Sequence, residues 1–186
     1  ARATNDTVKL HRYLRWYRNH FFKHVLSEEV ALELCWVMGC IELNPEETVY
    51  RQGEDPHYFY LLLSGEANIY TGNWNPCPQT GKPQRGDYVR PLSPGHYFGE
   101  RALTTNGVQP RTVVCTTAVT LAVVNKTDYL RLLVDVVENE KKKKMDFICR
   151  LPPFQGISFM DMIDIVEVMS INKFGQGEEL VTEGSP

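Results

Sequence analysis

The sequence predicts an α+β fold: a β-barrel of the jelly-roll type, about eight strands, flanked by N-terminal helices and one C-terminal helix. Three observations carry this reading. Apolar residues recur at near-helical spacing over the first 40 or so residues, and again after Asn125. Between these stretches, from Leu43, short apolar runs alternate with Gly, Pro, Asn and Asp, as many short strands do. Strands of this kind close into a barrel or a two-sheet roll because open edges are a liability.

The elements follow in order. Leu10, Tyr13, Leu14, Trp16, Tyr17, Phe21 and Phe22 return at spacings of about 3.6 residues, which places a helical segment in residues 1–26. Its aromatic group is expected to pack against the barrel or a neighbour. Ser27, ahead of EEVALELCWVM, is an N-cap with Glu28 and Glu29 at the positive helix end. ETVYRQG, YFYLLLSG, EANIYTG, DYVRPLSPG, RTVVCTT and VTLAVVN read as six of the strands. TGNWNPCPQTGKPQRGD, rich in Gly, Pro and Asn, is expected to be a long hairpin loop between two of them. In the following helix Leu130, Leu133, Val134 and Val137 should share one side. Lys141 to Lys144 read as a solvated helix face supported by Glu138 and Glu140.

The tail repeats the head. With Ser27 laid on Ser158 and the offset held, Met38 meets Met169, Glu47 meets Glu178 and Gly53 meets Gly184. No gap is needed, so residues 151–186 read as the start of a second copy of the domain formed by residues 27–150. The copy reaches Pro186 before the strands that would close a barrel, and the expectation is a truncated tandem arrangement.

Composition narrows the function. Hydrophobic residues make up 42% and charged residues 23%, the balance of a globular protein. A formal charge of −3 argues against a nucleic-acid binder. No apolar run approaches the roughly 18 residues of a membrane span, and no signal-peptide pattern opens the chain. Cys35, Cys40, Cys77, Cys115 and Cys149 are scattered without a CxxC pair, which suggests reduced thiols in the cytoplasm. The Asn5 and Asn125 sequons and the Arg85-Gly86-Asp87 tripeptide are then coincidental. His20 and His24 lie one helical turn apart but lack a third ligand, and neither His57 nor His96 supplies a cluster, so no metal is expected. Motifs of hydrolases, P-loop enzymes, zinc proteases and kinases are absent, and the chain is not read as an enzyme.

FGERALTTNGVQPRTVV, residues 98–114, gathers the remaining chemistry. Arg111 offers a planar fork of donors suited to a phosphate, which lysine does not reproduce. Ionised Glu100 only accepts hydrogen bonds and suits a ribose hydroxyl. Gly99 precedes a helical turn whose free N–H groups can face an anion, and Ala102 is small enough for close approach. Taken alone, Glu100 and Arg111 are equally readable as a surface ion pair.

GHYFGERAL and PRTVV resemble the phosphate-binding cassette of cyclic nucleotide-binding domains. VYRQGEDPHYFYLLLSGEANIY resembles the first strands of that family, with glycines at Gly53 and Gly65. The resemblance covers residues 20 to 150, and KKKKMDFICRLPPFQGIS is similar to the link between the paired domains of cAMP- or cGMP-dependent protein kinases. It implies a ligand, cGMP or cAMP, with no other cofactor, and a protein kinase catalytic domain or subunit as partner. The site it implies comprises Phe98, Gly99, Glu100, Arg101, Ala102, Leu103, Arg111, Thr112 and Val113, with Arg101 turned to solvent. Leu130, Leu133 and Val137 are the candidates for a lid. Thr112 stands where a hydroxyl is associated with guanine contact in the cGMP-dependent kinases, which tips the expectation toward cGMP, although threonine also occurs there in domains preferring cAMP. Two features depart from the pattern: Thr104 to Pro110 is longer than usual, and Val113 replaces a small residue. The alternative is a degenerate member that serves as a structural or interaction module, or takes a different ligand.

Overall fold

Ser27 starts the first long helix of the computed structural model. Its Oγ accepts the Val30 N–H at 3.3 Å, and α1 then runs over Glu28–Val37. The structure describes residues 8, 10–12, 14, 21–72, 86–105, 107–169 and 175–177. The expected hairpin loop, Trp16, Tyr17, His20, Cys77, the Asn5 sequon and Arg85 lie outside the described residues. Met38 adopts an extended conformation and ends the helix. The strands follow as β1 (Gly39–Leu43), β2 (Thr48–Tyr50), β3 (Tyr58–Ser64), β4 (Ala67–Thr71), β5 (Asp87–Leu92) and β6 (Tyr97–Phe98). A short helix α2 (Glu100–Thr105) separates them from β7 (Thr112–Cys115) and β8 (Val119–Asn125).

The eight strands form two four-stranded antiparallel sheets, ordered β1-β8-β3-β6 and β2-β7-β4-β5. Apart from the β4–β5 hairpin, each strand crosses to the other sheet from the one before it, which is the expected jelly-roll character. β1 lies partly within the stretch expected to be helical, and β6 has only two residues. Neither presents a long enough apolar run to stand out.

Alternation along β3 and β8 builds two cores from one sheet. Tyr60, Leu62, Leu121 and Val123 face inward with Ile69, Val113 and Cys115 of the second sheet. Phe59, Leu61, Ala122 and Val124 face outward and are covered by Phe21, Phe22, Leu34 and Cys35. A sheet buried on both faces needs apolar residues at consecutive positions, which is why YFYLLLS and VTLAVVN show no polar alternation. Phe21 packs its ring 4.9 Å from that of Tyr97 and 5.8 Å from that of Phe59, so this part of the N-terminal aromatic group rests on the barrel.

After β8, Asn125 caps α3 (Lys126–Leu132) by accepting the Asp128 N–H at 2.9 Å. The single helix expected here is two. Leu133 closes α3, and α4 (Val134–Ile148) begins beyond it. The buried stripe consequently runs through Tyr129, Leu133 and Val137, while Leu130 remains 42% exposed and outside both cores. On the exposed side Arg131 bridges Asp128 of its own helix and Glu33 of α1.

The chain divides into two compact units, residues 1–137 and 138–186, with the division inside α4. In the second unit Lys144 is only 6% exposed and pairs with Glu140 at 2.8 Å, so the basic run is not solvated throughout. A 3-10 turn at Pro152–Phe154 leads to α5 (Phe159–Val168). Ser158 caps α5 through the Asp161 N–H, and the Met169 N–H closes it on Ile165. The same offset that overlays Ser158 on Ser27 overlays this closing bond on that of Met38 with Leu34.

Gly65 turns between β3 and β4 at φ +82°, and a Cβ there would lie 2.2 Å from the Ala118 carbonyl oxygen. Gly53 has a similar φ of +89° but open space around it. Gly65→Ala is therefore expected to destabilise the domain clearly more than Gly53→Ala, which carries only the backbone cost of roughly 1 kcal/mol. Urea unfolding of the two variants measures the difference, and equal midpoints would contradict it.

Candidate ligand site

β6 ends on Phe98, which is registered with Tyr60 and stacked on it at 5.2 Å between ring centroids and 8° between planes. The chain must then turn sharply, and Gly99 does so at φ +87°. A Cβ at this position would stand 3.0 Å from both the Tyr58 carbonyl oxygen and the Tyr60 ring. Glycine is therefore required on two counts, conformation and space. The turn delivers Glu100 as the first residue of α2, 6% exposed, with Ala102 and Leu103 buried behind it. Leu103 enters the same core cluster as Tyr129, Leu133 and Val137. Arg101 is half-buried, not fully turned to solvent, and its carbonyl accepts the hydroxyls of Thr104 and Thr105 at 3.1 and 2.9 Å. Part of the longer stretch before Arg111 is thus the last turn of α2.

The return to β7 is held by a clamp. The Gln109 N–H donates to the Glu54 carbonyl at 2.8 Å, and the Gly53 N–H donates to the Gln109 carbonyl at 2.9 Å. Three residues on, the Gln52 N–H donates to Thr112 Oγ1 at 2.9 Å, and Gln52 Oε1 accepts the Gly72 N–H at 2.9 Å. Arg111, half-buried, sits between Gln109 and Thr112, so both sides of it are fixed to the turn after β2. Val113 points into the core between the sheets.

Leu133 and Val137 are fully buried in the core outside the first sheet. The residues that sequence reasoning did not single out are Gln52, Gln109 and Tyr60. Their roles come from contacts across the fold, Gln52 and Thr112 being 60 positions apart. The Gln52-Gly53 turn after a strand was the available signal.

Among the described residues no group of three or more His, Cys, Asp or Glu side chains is placed to hold a metal. No helix among them is long and apolar enough to cross a membrane. The profile of the family described as cyclic nucleotide-binding domain matches residues 40–135. The chain is 25% identical over 173 residues to the cAMP-dependent protein kinase regulatory subunit of Colletotrichum orbiculare, covering 90% of this chain and 43% of that protein. It is 26% identical over 168 residues to the regulatory subunit of Dictyostelium discoideum, covering 90% and 49%. It therefore spans less than half the length of these relatives. The regulatory domain of Toxoplasma gondii PKA, solved with cAMP, superposes with a TM-score of 0.62 at 20% identity, over 90% of this chain and 59% of that one.

Burial pushes the Tyr60 phenol up to about 12, helped by Tyr58 and Glu54 nearby. Burial also raises the Cys115 thiol to about 11, with Glu47 adding to it. Both groups hold their protons more tightly folded than unfolded. Their contribution is fully present below the unfolded values and is lost as pH rises toward the folded ones. Wild type should therefore lose stability between pH 10 and about 12. Each tenfold difference in proton affinity between the folded and unfolded chain contributes up to roughly 1.4 kcal/mol to that loss. Tyr60→Phe should flatten that part of the profile. Urea midpoints across the range, with phenol absorbance followed in parallel, test this, and an unchanged alkaline slope would contradict it.

Proposed function

Because the chain belongs to the cyclic nucleotide-binding domain family, we propose that residues 98–113 bind a 3′,5′-cyclic nucleotide and relay its presence to α3 and α4. In this reading the Arg111 fork and the backbone N–H groups of Gly99 to Leu103 hold the cyclic phosphate. Glu100, held at the head of α2, accepts the ribose hydroxyl. The single observation that carries the relay is the burial of Leu103 in one cluster with Tyr129, Leu133 and Val137. An inward shift of the Gly99 turn moves Leu103, and closely packed neighbours must follow. The ligand shifts the helices only by its differential affinity for their two positions.

We favour cAMP over cGMP. Thr112 Oγ1 is already engaged by the Gln52 N–H and the residue is buried, which leaves it poorly placed for a guanine amino group. The Colletotrichum and Dictyostelium relatives bear the name of cAMP-dependent kinase subunits, and a kinase catalytic subunit is the proposed partner here too. The matching caps at Ser27 and Ser158 support reading residues 151–186 as the opening of a second domain of the same kind.

Calorimetric titration of cAMP and cGMP tests the site. The expected result is tighter binding of cAMP, and loss of about 100-fold in Arg111→Ala as two charge-assisted hydrogen bonds disappear. Arg111→Lys should recover little, because a point charge does not replace the fork. Binding that survives Arg111→Ala would reject the phosphate assignment, and tighter cGMP would reject the Thr112 argument. For the relay, hydrogen exchange over residues 129–137 should respond to cAMP in wild type and in Leu130→Ala, and respond less in Leu133→Ala. Equal responses in all three would remove it.

A further inference from the structure

A cavity of about 320 Å³ lies in the first unit, lined in part by Gln109, two residues before Arg111. Its apolar walls are Ile41 and Leu43 of β1 and Leu121 of β8, facing the rings of Tyr50, Tyr58 and Tyr60. None of residues 98–103 or 111–113 lines it. Gln109 does, and it is 1% exposed with an Oε1 that meets no donor among the described residues. A buried acceptor without a donor bears its full desolvation cost, and native folds rarely leave one so. Glu54 and Asp55 also line the cavity, and both are exposed. Neither forms a salt bridge with a described residue. Two carboxylates without cationic partners repel an anion, so a nucleotide phosphate does not belong here.

Size, rings, acceptor and charge together define a ligand class. The volume suits a small planar molecule, and the tyrosine rings favour an aromatic body or an adjacent cation. Gln109 offers a buried acceptor to a donor, and the exposed carboxylates at the mouth favour positive charge. We propose that this cavity is a second small-molecule site, for an aromatic amine whose ring N–H meets Gln109 Oε1 and whose alkylammonium group faces Glu54 and Asp55. The site shares none of residues 98–103 or 111–113, but Glu54, Tyr60 and Gln109 also brace the proposed nucleotide site, so competition with cAMP tells the two sites apart.

Tryptamine is the probe, titrated into the full chain without cyclic nucleotide and followed by NMR shifts and calorimetry. The expected result is saturable binding, with shifts centred on Tyr58, Gln109 and Leu121. Methylating the ring nitrogen should weaken binding about tenfold, one lost hydrogen bond to a buried acceptor. Indole-3-acetate, with the charge reversed, should not bind. Glu54→Gln with Asp55→Asn should weaken tryptamine about tenfold. In Gln109→Leu, tryptamine and its methylated analogue should bind alike. Excess cAMP should not displace the amine. Absence of saturable binding in the millimolar range would overturn the proposal, as would equal binding of indole-3-acetate or displacement by cAMP. If Gln109→Leu does not fold, the three ligands on wild type decide the matter alone.

Discussion

The structure depends on one sheet being covered on both faces. β3 and β8 give alternate side chains to two different cores, one shared with the second sheet and one shared with the helices. Neither core forms without these strands. On the helix-covered face close packing leaves little free volume, so a displacement of Phe59 or Leu61 there is passed to Phe21, Leu103 and Tyr129. The site sits on this arrangement. Gly99 passes against the carbonyl of Tyr58 and the ring of Tyr60, while Phe59 between them stacks on Tyr129 at 5.2 Å on the opposite face. The Gly99 turn and α3 are thus braced on adjacent residues of one strand.

Hydrogen bonds to the turn after β2 anchor the residues on both sides of Arg111. The clamp around Gln109 fixes the segment carrying Arg111 through main-chain groups, and the Gln52 N–H adds a bond to the Thr112 side-chain hydroxyl. Thr104 and Thr105 of the connection before Arg111 belong to α2, and its far end is anchored at Gln109.

What could be read from the sequence follows from the range of the forces involved. Local signals were legible: the cap at Ser27, whose repeat falls on Ser158, the glycine before Glu100, and the apolar runs of β3 and β8. β1 and β6 were hidden, because Gly39-Cys40 carries little strand preference and two residues show no period. The helix break at Leu133 was also hidden, since the apolar spacing runs through it and shifts phase by one residue, from Leu130 to Tyr129. The distant partners of Gln52 and Gln109 were hidden for a different reason. Each glutamine is an ordinary polar residue until the fold brings together segments far apart in the chain.

The two attachments of α3 obey opposite rules in salt. Outside, Arg131 reaches Glu33 and Asp128 with its side chain half-exposed, and dissolved ions screen such contacts over roughly 8–10 Å at physiological strength. Inside, Tyr129 and Leu133 are held by apolar contact, which excluded salts such as sulfate strengthen. The same helix is therefore gripped by two fastenings that the surrounding electrolyte loosens and tightens in turn, so its freedom to swing about the buried side is a property of the solution as well as of the chain.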